Sequence, residues 1–105
     1  MQTFAEFWPF YLREHSRSGT RALHLWGTTA ALFLIVSALA LRRPMFLVGA
    51  LLCGYGFAWA GHFFVEHNRP ATFKHPLWSL AADWKMWALA LRGRLEPELR
   101  RAGVE

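Results

Sequence analysis

The sequence predicts an all-α integral membrane protein, a two-helix transmembrane hairpin flanked by amphipathic interfacial helices. Three observations predict it. Hydrophobic residues make up 54% of the 105 residues and charged residues only 18%, which is too little polar surface for a soluble domain of this size. All seven acidic residues lie before Gly19 or after Val65, so the middle of the chain has none. Within that middle, Arg42-Arg43-Pro44 divides two apolar runs, residues 22–41 and 44–65. At 1.5 Å per residue each reaches about 30 Å, the thickness of a bilayer core.

Before the hairpin, residues 3–15 carry Phe4, Phe7, Trp8, Tyr11, Leu12 and His15 at three- and four-residue spacing, with Glu6, Arg13 and Glu14 on the other side. That pattern predicts an amphipathic helix lying in the membrane interface with its rings among the headgroups, kinked or broken at Pro9. Ser16-Arg17-Ser18-Gly19 reads as a turn, with Ser18 or Thr20 available to cap the first span.

The hairpin fixes the depth of two histidines. His24 lies nineteen residues before Arg43 and His62 nineteen after it, so both sit roughly 28 Å from the turn, at one membrane face. Trp26 and Trp59 accompany them as an interfacial belt. Ala58 and Gly54 precede His62 by four and eight residues, a ridge of small side chains that lets the two spans approach closely.

After Asn68-Arg69-Pro70 and a short linker, Pro76 suits the first turn of a further helix, with a stripe of Leu77, Leu80, Ala81, Trp84, Ala88 and Leu91 and a C-cap at Gly93. Asp83, Lys85, Arg92 and Arg94 make it too polar to span, so it is expected on the same surface as the first helix, with Asp83 bordering the buried face. Residues 1–95 are expected to form a single helical membrane domain and 96–105 a charged, frayed tail.

A net charge of +5, from ten Arg and two Lys flanking apolar runs, suits anionic lipid headgroups and argues against nucleic acid as the partner. Ten of these twelve cations lie on the side of the termini and two in the turn, so both termini and the histidine level are expected in the cytoplasm, across a bacterial inner membrane. No basic segment leads into an apolar core at the start, and uncleaved insertion is expected. The lone Cys53, inside an apolar run, excludes an internal disulfide and reads as a small buried apolar residue.

The chemical stretch is residues 61–76. His62 and Glu66, four apart, share a helix face, and His15 and His24 reach the same level from two other segments. Three imidazoles and a carboxylate with open positions suit a metal, most typically non-haem Fe(2+), with zinc also compatible. Ionisable groups partly buried at membrane helices are unfavourable, which makes a functional role the default reading. Arg69 can clamp a carboxylate through two parallel hydrogen bonds, or meet lipid phosphate. His67 is rotated away from the His62 face, and His75 is placed to cap the third long helix. Two other classes fit the same residues. One is a haem-binding electron-transfer protein with His24 and His62 as axial ligands; the other is a noncatalytic small membrane subunit.

Several stretches carry a family resemblance: Phe-Tyr-Leu-Arg-Glu-His at 10–15, Leu-His-Leu-Trp-Gly-Thr at 23–28, Gly-His-Phe-Phe-Val-Glu at 61–66, Asn-Arg-Pro-Ala-Thr-Phe at 68–73 and Pro-Leu-Trp-Ser-Leu at 76–80. Together they resemble the small bacterial branch of a membrane family once known only as a domain of unknown function. Its characterised fungal relative is an iron(II)-dependent 2-hydroxy fatty acid dioxygenase. The resemblance implies one-carbon shortening of a 2-hydroxy fatty acid with molecular oxygen, at iron held by His15, His24 and His62. The chain is shorter than the eukaryotic members, and Thr20 stands where those tend to carry Asn.

Overall fold

The computed structural model describes residues 1–104 and contains α1 (Phe4–Arg13), α2 (Ser18–Leu41), α3 (Met45–Ala60), α4 (Pro76–Leu91) and α5 (Leu95–Arg101), with no strand among them. α3 runs on into a π-helical turn, Gly61–Glu66, and a single 3-10 turn, Ala71–Phe73, precedes α4.

α2 and α3 form the antiparallel hairpin. Its corner is forced by Pro44, which disfavours a helical Arg43, and Arg42 takes the left-handed conformation at φ 53° while the Arg43 N–H closes on the Ala38 carbonyl at 3.0 Å. The seam is close because its residues are small. A Cβ on Gly27 would stand 2.8 Å from the Phe57 Cβ, one on Gly61 3.2 Å from a Thr20 methyl, and one on Gly54 3.7 Å from Ala31. The outer faces are left uncovered. In the most apolar windows of Ser18–Leu41 and Met45–Glu66 only 17% and 22% of residues are buried, whereas a helix in a soluble core is mostly covered. Phe33, Leu39, Met45 and Leu52 all project outward, and hydrocarbon is the solvent that tolerates them.

The other helices gather at the open end of the hairpin. Thr3 caps α1 by accepting the Glu6 N–H, and Pro9 sits inside the helix without breaking it, because the carbonyl it leaves unpaired belongs to exposed Ala5. The rings expected among lipid headgroups are instead the core. Phe7, Trp8, Tyr11 and Leu12 pack against Ala82 and Met86 of α4 and Leu95 and Leu99 of α5. Burial of side chains such as Phe7 and Leu12 stabilises by roughly 1.5–3 kcal/mol each.

Two further expectations are corrected here. The buried face of α4 is Ser79, Ala82 and Met86, while Leu77 and Leu91 of the expected stripe point outward. Small side chains are what the bulky rings of α1 can accept. Gly93, at φ 68°, does end α4 as expected. The segment expected to fray as a tail is α5, where Leu95, Leu99, Ala102 and Val104 complete the core and the Trp8 indole donates to Glu98 at 2.8 Å. Charge dominated the reading of that segment, and its leucines four apart supply the docking face. Glu105 lies outside the described residues.

Candidate metal centre

α1 ends at Arg13, so the Tyr11 carbonyl has no helical partner, and the His15 ring turns back to it with Nδ1 donating at 2.6 Å. His24 lies nearly two turns into α2, and His62 in the π-helical turn. The widened turn closes through His67, left-handed at φ 61°, with the Asn68 N–H on the His62 carbonyl at 2.9 Å. That brings the Asn68 amide beside the His62 ring.

Hydrogen bonds fix the His15 and His62 rings, and a carboxylate faces the His24 ring. The Asn68 Nδ2 donates to the Glu14 carbonyl at 3.0 Å, so its Oδ1 faces His62 Nδ1 at 2.7 Å and that nitrogen carries the proton. His24 Nδ1 lies 3.5 Å from Asp83 Oδ1, which also accepts the Tyr11 hydroxyl at 2.5 Å. With every Nδ1 turned to an oxygen, the three Nε2 lone pairs face one another. His15 to His24 is 3.0 Å and His24 to His62 is 3.3 Å. All three histidines are buried.

Three imidazole lone pairs repel at such separations unless a cation lies among them. Nitrogens held roughly 2.0–2.1 Å from a metal stand about 2.9–3.4 Å apart, and the His15–His24 and His24–His62 separations fit that range. Burial pushes the His15 pKa well below the usual imidazole value, and His24 and His62 push the same way, which keeps the ring in its neutral, ligating form. Burial, then the Asp83 charge, holds the Tyr11 hydroxyl protonated far above its ordinary range, as the donor Asp83 requires. Partners of this kind orient the ring and raise the basicity of the ligating nitrogen. The haem alternative meets a steric limit. A macrocycle needs about 2 Å on each side between axial nitrogens, and 3.3 Å leaves no such layer.

His15, His24 and His62 are therefore brought together, with ligand atoms within 4.8 Å of one another, and Glu66 is not among them. Its carboxylate crosses to the start of α2, where the N-cap residue Arg17 makes no side-chain cap bond. There it accepts the Arg17 N–H at 3.0 Å, the Thr20 hydroxyl at 2.7 Å and the Ser16 hydroxyl. The helix terminus supplies unpaired donors and a favourable dipole, and they hold the carboxylate. Ser18 and Thr20 do not cap α2 themselves. Arg69 is exposed and lines a separate surface depression with Glu14, Lys74 and His75. His67 is exposed. His75 makes no capping bond through its side chain and stacks on Trp78.

Sequence reasoning passed over Asn68, read only as a turn residue, and Ser79. The Ser79 hydroxyl is buried without a hydrogen-bond partner in the wall of the histidine chamber. The chamber is small, about 10 Å³, close to the least that admits one water-sized group. It shares His24, Tyr55 and Asp83 with a larger cleft of about 420 Å³.

No curated protein and no solved structure matches the chain. A family model does, over residues 1–95, described as 2-hydroxy-palmitic acid dioxygenase Mpo1-like. With all three histidines and nearly all of the fold inside the matched segment, the chain belongs to the Mpo1-like family.

Proposed function

We propose that this protein is an iron(II)-dependent dioxygenase that shortens 2-hydroxy fatty acids or related lipids by one carbon with molecular oxygen. The observation that carries the proposal is the convergence of three buried Nε2 lone pairs at 3.0 and 3.3 Å in a chain of this family. His15, His24 and His62 would hold the metal and leave positions open. Bound there, iron(II) supplies Lewis acidity toward the hydroxyl and carboxylate of the acid and electrons for oxygen.

The remaining work falls to the chain. Tyr11, Asn68 and Asp83 fix the rings, so little reorganisation is needed when substrate arrives. The buried chamber leaves room for little more than one water. Glu66 ties the corner after α1, which carries His15, to the turn that carries His62, and so acts as a positioning residue. Arg69, exposed near Lys74, is assigned to anionic headgroups at the surface. The membrane is proposed to be a bacterial inner membrane, with termini and site on the cytoplasmic side.

Oxygen uptake with a 2-hydroxy acid and with the unhydroxylated acid of equal length tests the reading. Uptake is expected only with the former, whose hydroxyl and carboxylate can chelate together. Equal turnover of both acids, or turnover without oxygen, contradicts it. Protein purified without stoichiometric metal would favour the noncatalytic subunit.

A further inference from the structure

The larger cleft is polar at one end only. Near the histidines it is lined by His24, Thr28, Tyr55 and Asp83; toward the hairpin turn it is a furrow along the α2–α3 seam, lined by Ala31, Ile35, Leu47, Ala50, Leu51 and Gly54. It exists because small residues form its floor: Ala31 and Ala50 are almost fully covered, and Gly54 has no side chain. α4 contributes Leu80, Asp83 and Trp84, all at the histidine end, and nothing beyond. The rest of the furrow is open along its side, where Leu47 and Leu51 are exposed. On a spanning hairpin that side faces hydrocarbon, so its occupant arrives from the bilayer. Ser79 adds an independent sign of a ligand at the head end, a buried hydroxyl with no partner in the protein.

We infer that this furrow holds the acyl chain of the substrate, reached sideways from the membrane, and that Ala50 at its far end sets the chain length accepted. The inference rests on the lipid-acid reading above. From His24 to Ile35, which lies level with Ala50 across the seam, α2 rises about 16 Å. That is close to half of a bilayer core of about 30 Å, the depth filled by the acyl chains of one leaflet. Beyond Thr28 and Tyr55 the furrow offers no polar partner, so an aliphatic chain fits it and a polar one is excluded. A chain moving from lipid into the furrow leaves one apolar medium for another. The hydrophobic gain therefore cancels, and shape decides which lengths are accepted.

The test is equilibrium binding of saturated 2-hydroxy acids, from short to long, to full-length protein in lipid nanodiscs, with bound iron measured on the same samples. Ala50→Phe closes the far end and Ala31→Leu closes the furrow nearer the histidines. Forcing two groups into one space weakens binding on the order of tenfold or more. Long acids should lose that much in Ala50→Phe while short acids bind as in wild type, and Ala31→Leu should move the cut-off to shorter chains, both with wild-type iron. A length profile unchanged in both variants overturns the furrow while leaving the dioxygenase reading intact; a furrow permanently filled by phospholipid would give that result. Uniform loss at every length overturns it as well. If iron-loaded wild type binds no 2-hydroxy acid of any length, both readings fall.

Discussion

Asn68 accepts the Nδ1 proton of His62 at 2.7 Å while its own amide donates to the Glu14 carbonyl, so one side chain from the turn after α3 fixes a ring and holds it against the end of α1. Nothing else in the turn offers His62 an acceptor. Asn68→Ala is predicted to keep the fold and lose roughly 10–100-fold in metal affinity, the range for an outer partner of a ligating histidine. Competition with a chelator of known affinity measures it, and an unchanged affinity would show that the ring is oriented by packing alone.

Glu66 makes a different prediction from that of a ligand. Glu66→Ala removes three contacts at the start of α2; water can replace the carboxylate at exposed Ser16 and Arg17, but leaving the buried Thr20 hydroxyl unsatisfied costs about 1–3 kcal/mol. A lower Tm in detergent is expected, with iron per chain retained when the protein is assayed well below that temperature. Loss of iron at an unchanged Tm would return Glu66 to the metal.

The docking of α5 carries a pH dependence. The hydrogen bond from Trp8, then the one from Arg101, holds the Glu98 carboxyl below its ordinary 4.5. A pKa lowered by folding contributes stability that is present above 4.5 and disappears as the pH falls through the folded value. The contribution is small, because the Glu98 side chain keeps 23% of its surface in solvent, which screens it. Acid should therefore loosen α5, read as faster proteolysis near Gly93, and Glu98→Gln should remove that acid step. Equal acid sensitivity in the variant would place the cause elsewhere.

Topology follows from charge. With ten of the twelve cations on the side of the termini, a cysteine at position 44 in a Cys53→Ser background should be labelled from outside intact cells by an impermeant reagent. Labelling only after lysis would reverse the orientation.

The hairpin and the histidine level were legible because both follow from lengths. Two uncharged runs divided by a proline turn place His24 and His62 equally far from that turn, and helical rise is a fixed number. The faces of α1 and α4 were harder to read. Periodicity identifies an apolar face without saying whether lipid or protein covers it, and here protein covers the rings of α1 while the leucines of α4 stay outside. Glu66 was misjudged for a related reason. Sharing a face with His62 fixes where a side chain starts, whereas the unpaired donors at Ser16, Arg17 and Thr20, almost fifty residues away in the chain, fix where it ends. Tyr11 carried a usable signal, four residues before His15 on the same face.

The central claim is that three imidazoles hold the metal, and iron content per chain tests it most directly, across His15→Ala, His24→Ala, His62→Ala and His67→Ala purified without chelators. The first three are predicted to be folded, iron-poor and inactive, and His67→Ala, whose ring is exposed outside the cluster, to keep its iron and activity. Full iron occupancy in His62→Ala would contradict the site.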